Sequence, residues 1–214
     1  MACFTVAILG AESTGKSTLA STVVARLNAE QKPAVLVPEY LREWCEAHGR
    51  TPLKHEQAHI AVQQAQRLQE VQSPATAKRL VVADTAPLMT AVYSDIYFND
   101  VSLYPQAIAH HRSYDLTLLT GLDIAWVADG IQRDCEAVRR AVDQRLRSVL
   151  AEHSIAYATI YGQGAARTAC ALQAIAYKAA GVRSGSQSNW QWICEKCSDA
   201  DCEHRLFSRL TTQS

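Results

Sequence analysis

Residues 10–17 read GAESTGKS, which fits the spacing G-x-x-x-x-G-K-S of a phosphate-binding loop. The two glycines let the backbone wrap around a phosphate group, and the N–H groups of the loop and of the following helix donate to its oxygens. Lys16 would reach the β- and γ-phosphates of ATP, and Ser17 would bind Mg²⁺. The predicted nucleotide-binding residues in this loop are Gly10, Ser13, Thr14, Gly15, Lys16, Ser17 and Thr18.

A second candidate for the magnesium site is Asp84, which follows the apolar run of residues 80–83. A carboxylate at the end of a later strand completes the magnesium site in phosphoryl-transfer proteins with this loop. Asp84 could alternatively be the N-cap of the next helix, whose first turn would hold Pro87. The two roles are compatible.

Short apolar runs alternate along the chain with segments of helical periodicity, and the phosphate loop joins the first run to the first helix. Strands are predicted at 3–9, 34–37, 80–83, 116–119 and 155–160. Helices are predicted at 16–30, from about 41, at 54–72, across 87–112, at 133–152 and at 164–180. In the helix at 54–72, the predicted shared face contains Ala58, Ala61, Ala65 and Leu68.

This alternation predicts an α/β fold, because parallel strands need crossover connections and the helices supply them. We expect a P-loop NTPase domain at 1–183, with a five-stranded parallel sheet flanked by helices and its ligands at the C-terminal ends of the strands. A turn-rich linker at 184–188 leads to a short Cys/His appendage at 189–214.

The composition excludes several classes of protein. With 214 residues, 48% of them hydrophobic and 20% charged, the chain can bury a sizeable core, which excludes disorder and coiled coils. The formal net charge is zero, so no global field would attract nucleic acid or an anionic membrane. No window approaches the ~18 apolar residues that span a bilayer, and the N-terminus lacks the basic flank of a secretory signal. We therefore expect a cytoplasmic protein with a small-molecule substrate.

The appendage contains the pattern C-x₂-C-x₄-C-x-H. Four such ligands within eleven residues can close a tetrahedron around a structural Zn²⁺, and metal binding would then supply the order that a small core cannot. The alternatives are free cysteines in a tail, an iron–sulfur site, or a ligand set that includes Cys170. The predicted zinc ligands are Cys194, Cys197, Cys202 and His204.

Several motifs together resemble the P-loop kinase domain of the NadR type, the ribosylnicotinamide kinase-like group. They are the phosphate loop, PEYLREW at 38–44, the Asp84-Thr85 pair, TAVY at 90–93, YDLTLL at 114–119, DIAWVADG at 123–130, and the segment 162–167. The resemblance implies a nucleoside-kinase-like fold and transfer of the ATP γ-phosphate to a ribosyl hydroxyl, with nicotinamide riboside as the acceptor. Members with two activities carry an adenylyltransferase domain ahead of the kinase. The phosphate loop begins here at residue 10, so we expect a kinase-only protein.

In a kinase of this topology, Glu39 lies opposite the phosphate loop, and Arg42 follows three residues later. A carboxylate there can orient or deprotonate the acceptor hydroxyl, and the arginine can bind an anion or the carboxylate itself. The pair could instead be structural, at a helix start. Trp44, Tyr93 and Trp126 could stack on an aromatic base or serve as packing anchors.

The loop after the fourth strand is predicted to close over ATP. Asp123 and Asp129 flank Trp126 there and are candidate substrate residues, and Arg133 and Arg139 follow as candidate lid cations that would neutralise the transferred phosphoryl group. The other arginines of this helix are interpreted as a solvated face. The resemblance further implies that Arg167 contacts ATP.

Two hypotheses about function follow. The first is an ATP-dependent nucleoside kinase. The second is a nucleotide-dependent regulatory ATPase, or switch, whose zinc tail binds a partner. Glu39 discriminates between them, because a kinase needs a carboxylate positioned at the acceptor, whereas a switch needs a group that positions water.

Overall fold

The computed structural model describes residues 3–72, 79–126 and 136–181. Contacts divide the chain into Met1–Ala180 and Gly181–Ser214, and the account below concerns the first unit. Its strands are β1 (Phe4–Leu9), β2 (Ala34–Val37), β3 (Leu80–Asp84), β4 (Leu116–Thr120) and β5 (Ala158–Ile160). Its helices are α1 (Lys16–Ala29), α2 (Tyr40–His48), α3 (Gln57–Gln72), α4 (Pro87–Phe98), α5 (Tyr104–His111), α6 (Glu136–Glu152) and α7 (Gly164–Ala179), with a 3₁₀ turn at Lys54–Glu56.

The five strands form one parallel sheet in the order β2-β3-β1-β4-β5. This confirms the predicted fold class and places β1 at the centre, between β3 and β4. The fifth strand begins at Ala158 and not at residue 155 as predicted. The reason is local, because the N–H of Ile155 donates to the carbonyl of Leu150 at 2.8 Å and so closes the end of α6.

Helices cover both faces of the sheet, which explains why most residues of the strands are apolar. Successive residues of β1 point to opposite faces. Ala7 and Leu9 pack in a core with residues of α4, α5 and α6, whereas Val6 and Ile8 pack in a second core with residues of α1 and α7. The central strand is therefore buried from Thr5 to Leu9, and its C-terminal end holds the phosphate loop in a fixed position.

The buried face of α3 differs from the prediction. The alanines at 58, 61 and 65 are exposed or half-buried, and of the predicted face only Leu68 is buried. Small alanines give a weak periodic signal, and two glutamines are buried because they hydrogen-bond to neighbouring backbone groups. The buried residues of α3 are Gln57, Ile60, Gln64 and Leu68.

The predicted linker at 184–188 and the appendage at 189–214 lie outside the described residues, so both stay predictions. Within the described ranges, none of the helices has the length and apolar character needed to cross a membrane.

Candidate functional site

The phosphate loop lies between the end of β1 and the first turn of α1, as predicted. Gly15 is the N-cap of α1 and has a φ of +72°, in the left-handed region that favours glycine. Position 10 has no space for a side chain, because a Cβ there would lie 2.0 Å from Oγ1 of Thr120 in β4. The same Thr120 hydroxyl lies 2.7 Å from the hydroxyl of Thr14. The loop is therefore packed directly against the neighbouring strand.

Lys16 is buried inside the curve of the loop. Its Nζ donates to the carbonyl of Ala11 at 2.8 Å, and the hydroxyl of Thr14 donates to the same carbonyl at 2.7 Å. The lysine side chain thus lies along the loop that would surround the phosphates, with its charge on the same concave side. The geometry fits the phosphate-binding role predicted for Lys16.

Asp84 ends β3 beside the loop, in register with Ile8 of β1. The side chain is 5% exposed, and among the described residues its Oδ1 has no hydrogen-bond partner. The N-cap of α4 is Ala86, so the alternative that Asp84 caps this helix is wrong. A buried carboxylate oxygen without a partner is costly unless a ligand supplies one. Asp84 therefore fits a cation held directly or through water.

Glu39 is the N-cap residue of α2 and lies just beyond β2, as predicted. Only 8% of the residue is exposed, and its carboxylate makes no capping bond to its own helix. Burial raises the pKa of Glu39, and the charge of Asp84 adds to this rise, while Lys16 and Arg42 oppose it. These charge interactions show that Glu39, Lys16 and Asp84 share one region at the C-terminal edge of the sheet.

Arg42 connects the two sides of this region. Its Nε lies 3.5 Å from Oε2 of Glu39, and its Nη2 donates to the hydroxyl of Ser17 at 3.2 Å. The ion pair that was considered as a structural alternative at the start of α2 is thus present. It is compatible with a functional role, since the same guanidinium also reaches the phosphate loop.

Two aromatic candidates lie in different surroundings. Tyr93 of α4 is buried, and its burial first and the nearby charge of Glu12 second raise the pKa of Tyr93. Trp44 packs with Ile60, and its ring stacks on His48 with centroids 3.9 Å apart. Its contacts are those of a packing anchor. The stacking of either ring on an acceptor base stays a prediction.

Sequence reasoning missed Glu12. This residue occupies a variable position of the phosphate-loop motif, so spacing alone carries no information about it. The structure places its carboxylate near the side chain of Tyr93, which also lies near Glu39. Tyr93 lies in α4, far from Glu12 in the chain, so the sequence does not indicate that the two side chains are close together.

On the opposite side of the loop, Arg167 joins three segments. Its Nη2 donates to the carbonyl of Thr14 at 2.8 Å, and its Nη1 donates to the carbonyl of Gly162 at 2.8 Å and to Asp123 at 3.2 Å. Asp123 in turn accepts a hydrogen bond from the N–H of Gly162 at 2.6 Å. Both side chains therefore hold the phosphate loop and the segments beside it. Direct contact of Arg167 with ATP stays a prediction.

Arg139 of α6 is buried and donates from Nη2 to the carbonyl of Ile124 at 2.7 Å. It thus holds the segment after β4, in which Trp126 is half-buried. Arg139 is a predicted lid residue and is not among the arginines interpreted as a solvated face. Its burial is explained by this backbone acceptor. Asp129 and Arg133 lie outside the described residues, so the lid itself stays a prediction.

A cavity of about 670 Å³ lies next to the phosphate loop, between α1 and α7. Most of its lining is apolar, and Ile124 from the segment after β4 also contributes. Its size and position suit the base of a nucleotide whose phosphates lie in the loop. Residues that line it include Gly15, Thr18, Leu19, Ile124, Ala169 and Leu172.

No group of three or more His, Cys, Asp or Glu side chains that could hold a metal ion is found in residues 3–72, 79–126 and 136–181. The four predicted zinc ligands all lie beyond residue 181, outside this part of the chain. The zinc site is therefore not tested and stays a prediction.

The parallel sheet, the phosphate loop and the carboxylates at the strand ends define a P-loop NTPase fold of the nucleoside-kinase type. A family model described as AAA domain matches residues 5–167, and the chain belongs to this family. A search of curated proteins found no match.

Solved structures support the resemblance to NadR. A crystal structure of NadR protein in complex with NR superposes with a TM-score of 0.68 at 24% identity, over 87% of this chain and 54% of that chain. A second, of NadR protein in complex with NAD and AMP-PNP, gives 0.65 at 25% identity, over 82% and 49%. The chain thus spans about half the length of these structures. Deoxyadenosine kinase from M. mycoides, with products dcmp and a flexible dcdp bound, shares the fold with a TM-score of 0.52 at 12% identity, over 84% of this chain and 100% of that chain.

Proposed function

We propose that this protein is an ATP-dependent kinase that transfers the γ-phosphate to a ribosyl hydroxyl of a small nucleoside. The observation that carries the proposal is the buried environment of the Glu39 carboxylate. Its carboxylate is almost fully buried, makes no bond to the helix that it caps, and interacts with Lys16 and Asp84 at the mouth of the phosphate loop. Burying an ionisable group in this way is costly, and such groups concentrate at functional sites.

The donor side of the reaction needs Mg·ATP, and the residues present fit it. Asp84 offers a buried oxygen without a partner among the described residues, and Ser17 offers a hydroxyl at the first turn of α1. When bound, Mg²⁺ would neutralise charge on the phosphates and hold them in line for transfer. Lys16 contributes a fixed cation, and the backbone N–H groups of the loop contribute fixed dipoles where negative charge develops.

The acceptor side depends on Glu39. A hydroxyl that attacks the γ-phosphate must lose its proton, and a carboxylate within hydrogen-bond reach can orient the hydroxyl and accept that proton. The raised pKa of Glu39 makes the carboxylate a stronger base than an exposed glutamate. Arg42 pairs with one oxygen of Glu39 and reaches Ser17, so it keeps the base next to the donor site.

We propose nicotinamide riboside as the acceptor. The proposal is supported by the resemblance in sequence and by the solved NadR structure in complex with NR. The candidate substrate residues on this chain are Glu39, Arg42, Trp44, Asp123, Trp126 and Asp129.

The test is to incubate the purified chain with Mg·ATP and a panel of nucleosides that includes nicotinamide riboside, adenosine, cytidine and uridine. We expect a phosphorylated nucleoside and stoichiometric ADP, with nicotinamide riboside as the best acceptor. Preference for another nucleoside would support the kinase activity but would show that nicotinamide riboside is not the preferred acceptor. Hydrolysis of ATP with no phosphorylated product from any nucleoside would overturn the proposal in favour of a regulatory ATPase.

A further inference from the structure

The start of α2 presents an unusual arrangement around Glu39. The first N–H groups of a helix have no partner within the helix, and they commonly donate to an oxygen of the N-cap side chain. Glu39 occupies the N-cap position, yet its carboxylate makes no such bond. The N–H of Tyr40, the first helical residue, instead donates to Oε1 of Gln64 in α3 at 2.7 Å. A residue 24 positions away in the chain therefore satisfies the first N–H group of this helix.

The Gln64 side chain contacts the backbone on both sides of Glu39. Its Oε1 accepts from the N–H of Tyr40, and its Nε2 donates to the carbonyl of Pro38 at 3.4 Å. The orientation of the amide is fixed, because only its oxygen can accept from an N–H and only its nitrogen can donate to a carbonyl. Gln64 is 2% exposed, so water does not compete for these bonds. The peptide groups before and after Glu39 are thus held by one buried side chain.

We propose that Gln64 is a positioning residue that binds the first N–H of α2 and the carbonyl of Pro38, so that the Glu39 carboxylate stays at the phosphate loop and does not turn back to its own helix. The inference rests on the proposed function, in which Glu39 acts on the acceptor hydroxyl. Without Gln64, the N–H of Tyr40 lacks this buried acceptor, and the Glu39 carboxylate is the acceptor side chain nearest in sequence. A carboxylate that accepts such bonds has a lowered pKa and is a weaker base.

The perturbing variant is Gln64→Met, which preserves the unbranched shape of the side chain and removes both hydrogen bonds. Gln64→Glu is the rescuing variant, since it restores an acceptor for the N–H of Tyr40. Gln57→Met is the matched control. Gln57 lies on the same helix, is 4% exposed, and donates to the carbonyl of Pro52 at 3.4 Å, so its loss removes a comparable buried amide outside the Glu39 segment.

The first measurement is steady-state kinase activity of the full chain between pH 5 and pH 9, with ATP and acceptor varied separately. For Gln64→Met we expect kcat to fall by about 10- to 100-fold, since small displacements of a reacting group cost this much. The KM for ATP should stay within about twofold, and the acidic limb of the pH profile should move to lower pH. Gln64→Glu should recover most of kcat, and Gln57→Met should retain the wild-type profile.

The second measurement is independent of activity. The protein is labelled with ¹³C at the glutamate side-chain carboxyl, and the resonance of Glu39 is assigned by its loss in Glu39→Gln. We expect its titration midpoint to fall in Gln64→Met and to remain unchanged in Gln57→Met. Because this titration needs no substrate, it reports whether the Glu39 carboxylate turns back to its own helix even if the protein phosphorylates none of the nucleosides.

The outcomes separate the two proposals. If the wild-type chain forms no phosphorylated product, the proposed function fails while the titration still tests Gln64. If the chain is active and Glu39→Gln is inactive, but Gln64→Met retains wild-type kcat and pH profile, the inference about Gln64 is wrong. An equal loss of kcat in Gln64→Met, Gln64→Glu and Gln57→Met would also overturn it, because the effect would then be general destabilisation.

Discussion

Replacing Glu39 with glutamine should lower activity and raise stability in the same protein. The amide has nearly the same shape but cannot accept the proton of an acceptor hydroxyl, so we expect kcat to fall by about 10²–10⁴-fold. The affinity for ATP should change little, because Glu39 is assigned to the acceptor and not to the nucleotide. The gain in stability has a separate cause, which is the burial of the carboxylate.

The sign of the stability change follows from the raised pKa of Glu39. Burial is the largest cause of that rise and outweighs the attraction of Lys16 and Arg42. The folded state therefore holds the proton more tightly than the unfolded chain does. Ionising Glu39 costs folding free energy progressively as the pH rises from the ordinary carboxyl range to the raised pKa. Glutamine does not ionise and avoids this cost.

We expect Glu39→Gln to be close to the wild type in stability near pH 4 and more stable by about 0.5–2 kcal/mol at pH 8, the range of single stabilising substitutions. For a chain of this size, each kcal/mol raises Tm by about 2–4 °C. Thermal unfolding followed by circular dichroism at several pH values between 4 and 8 measures the difference directly.

Glu43→Gln is the matched control, because Glu43 lies one turn further along the same helix and its pKa is shifted in the opposite direction. A hydrogen bond from Arg67 is the main cause that lowers the pKa of Glu43. Its stabilising contribution is therefore present at neutral pH and lost as the pH falls through its lowered pKa. Since half of the side chain is exposed, we expect a loss of at most about 1 kcal/mol at pH 8 and no change in kcat.

A Glu39→Gln protein that is less stable than the wild type at pH 8 would refute the reasoning about burial. Unchanged kcat with a normal acceptor would show that Glu39 is structural. The two readouts are independent, so the stability argument can fail while the assignment of the base survives.

Three further predictions concern the phosphate loop and the appendage. Lys16→Ala should retain the fold and lose ATP turnover, because a fixed cation at the transferred phosphoryl group contributes several kcal/mol, and turnover near the wild-type rate in a folded variant would contradict its role. Gly10→Ala should lower stability by about 1–3 kcal/mol, since the new Cβ would lie 2.0 Å from Oγ1 of Thr120, and unfolding in denaturant should show the loss. Elemental analysis should find about one zinc per chain, and little or none in a Cys194→Ser/Cys197→Ser variant, whereas equal content in both proteins would exclude the predicted ligand set.

The parts of the fold that could be predicted are those encoded within short segments. The apolar runs gave four of the five strands with bounds close to those observed, and the phosphate loop was predicted from eight consecutive residues. Asp84 and Glu39 were predictable because Asp84 ends β3 and Glu39 lies two residues past the end of β2, and parallel strands bring such residues to one edge of the sheet.

The rest depends on pairs of residues that are far apart in the chain. Gln64 reads as one polar residue among several in α3, and only the packing of α3 shows that it meets the start of α2. Arg139 reads as one arginine in a polar helix, and its burial follows from the position of the Ile124 carbonyl. A polar residue that binds a backbone group gives no periodic signal. Nearly every residue carries the same backbone N–H and carbonyl groups, so the residue type does not reveal the partner.

These contacts have a common consequence for the phosphate loop, which is held by an arginine on each side. Arg167 binds the carbonyl of Thr14 and ties the loop to the segments after β4 and β5, next to the cavity that suits a nucleotide base. Arg42 binds Ser17 and ties the loop to Glu39, the residue proposed to act on the acceptor. Transfer of a phosphoryl group depends mainly on positioning and on fixed charge. The loop backbone and the carboxylate proposed to act on the acceptor are thus already held in place by protein contacts, so that under this proposal less reorganisation remains when the substrates bind.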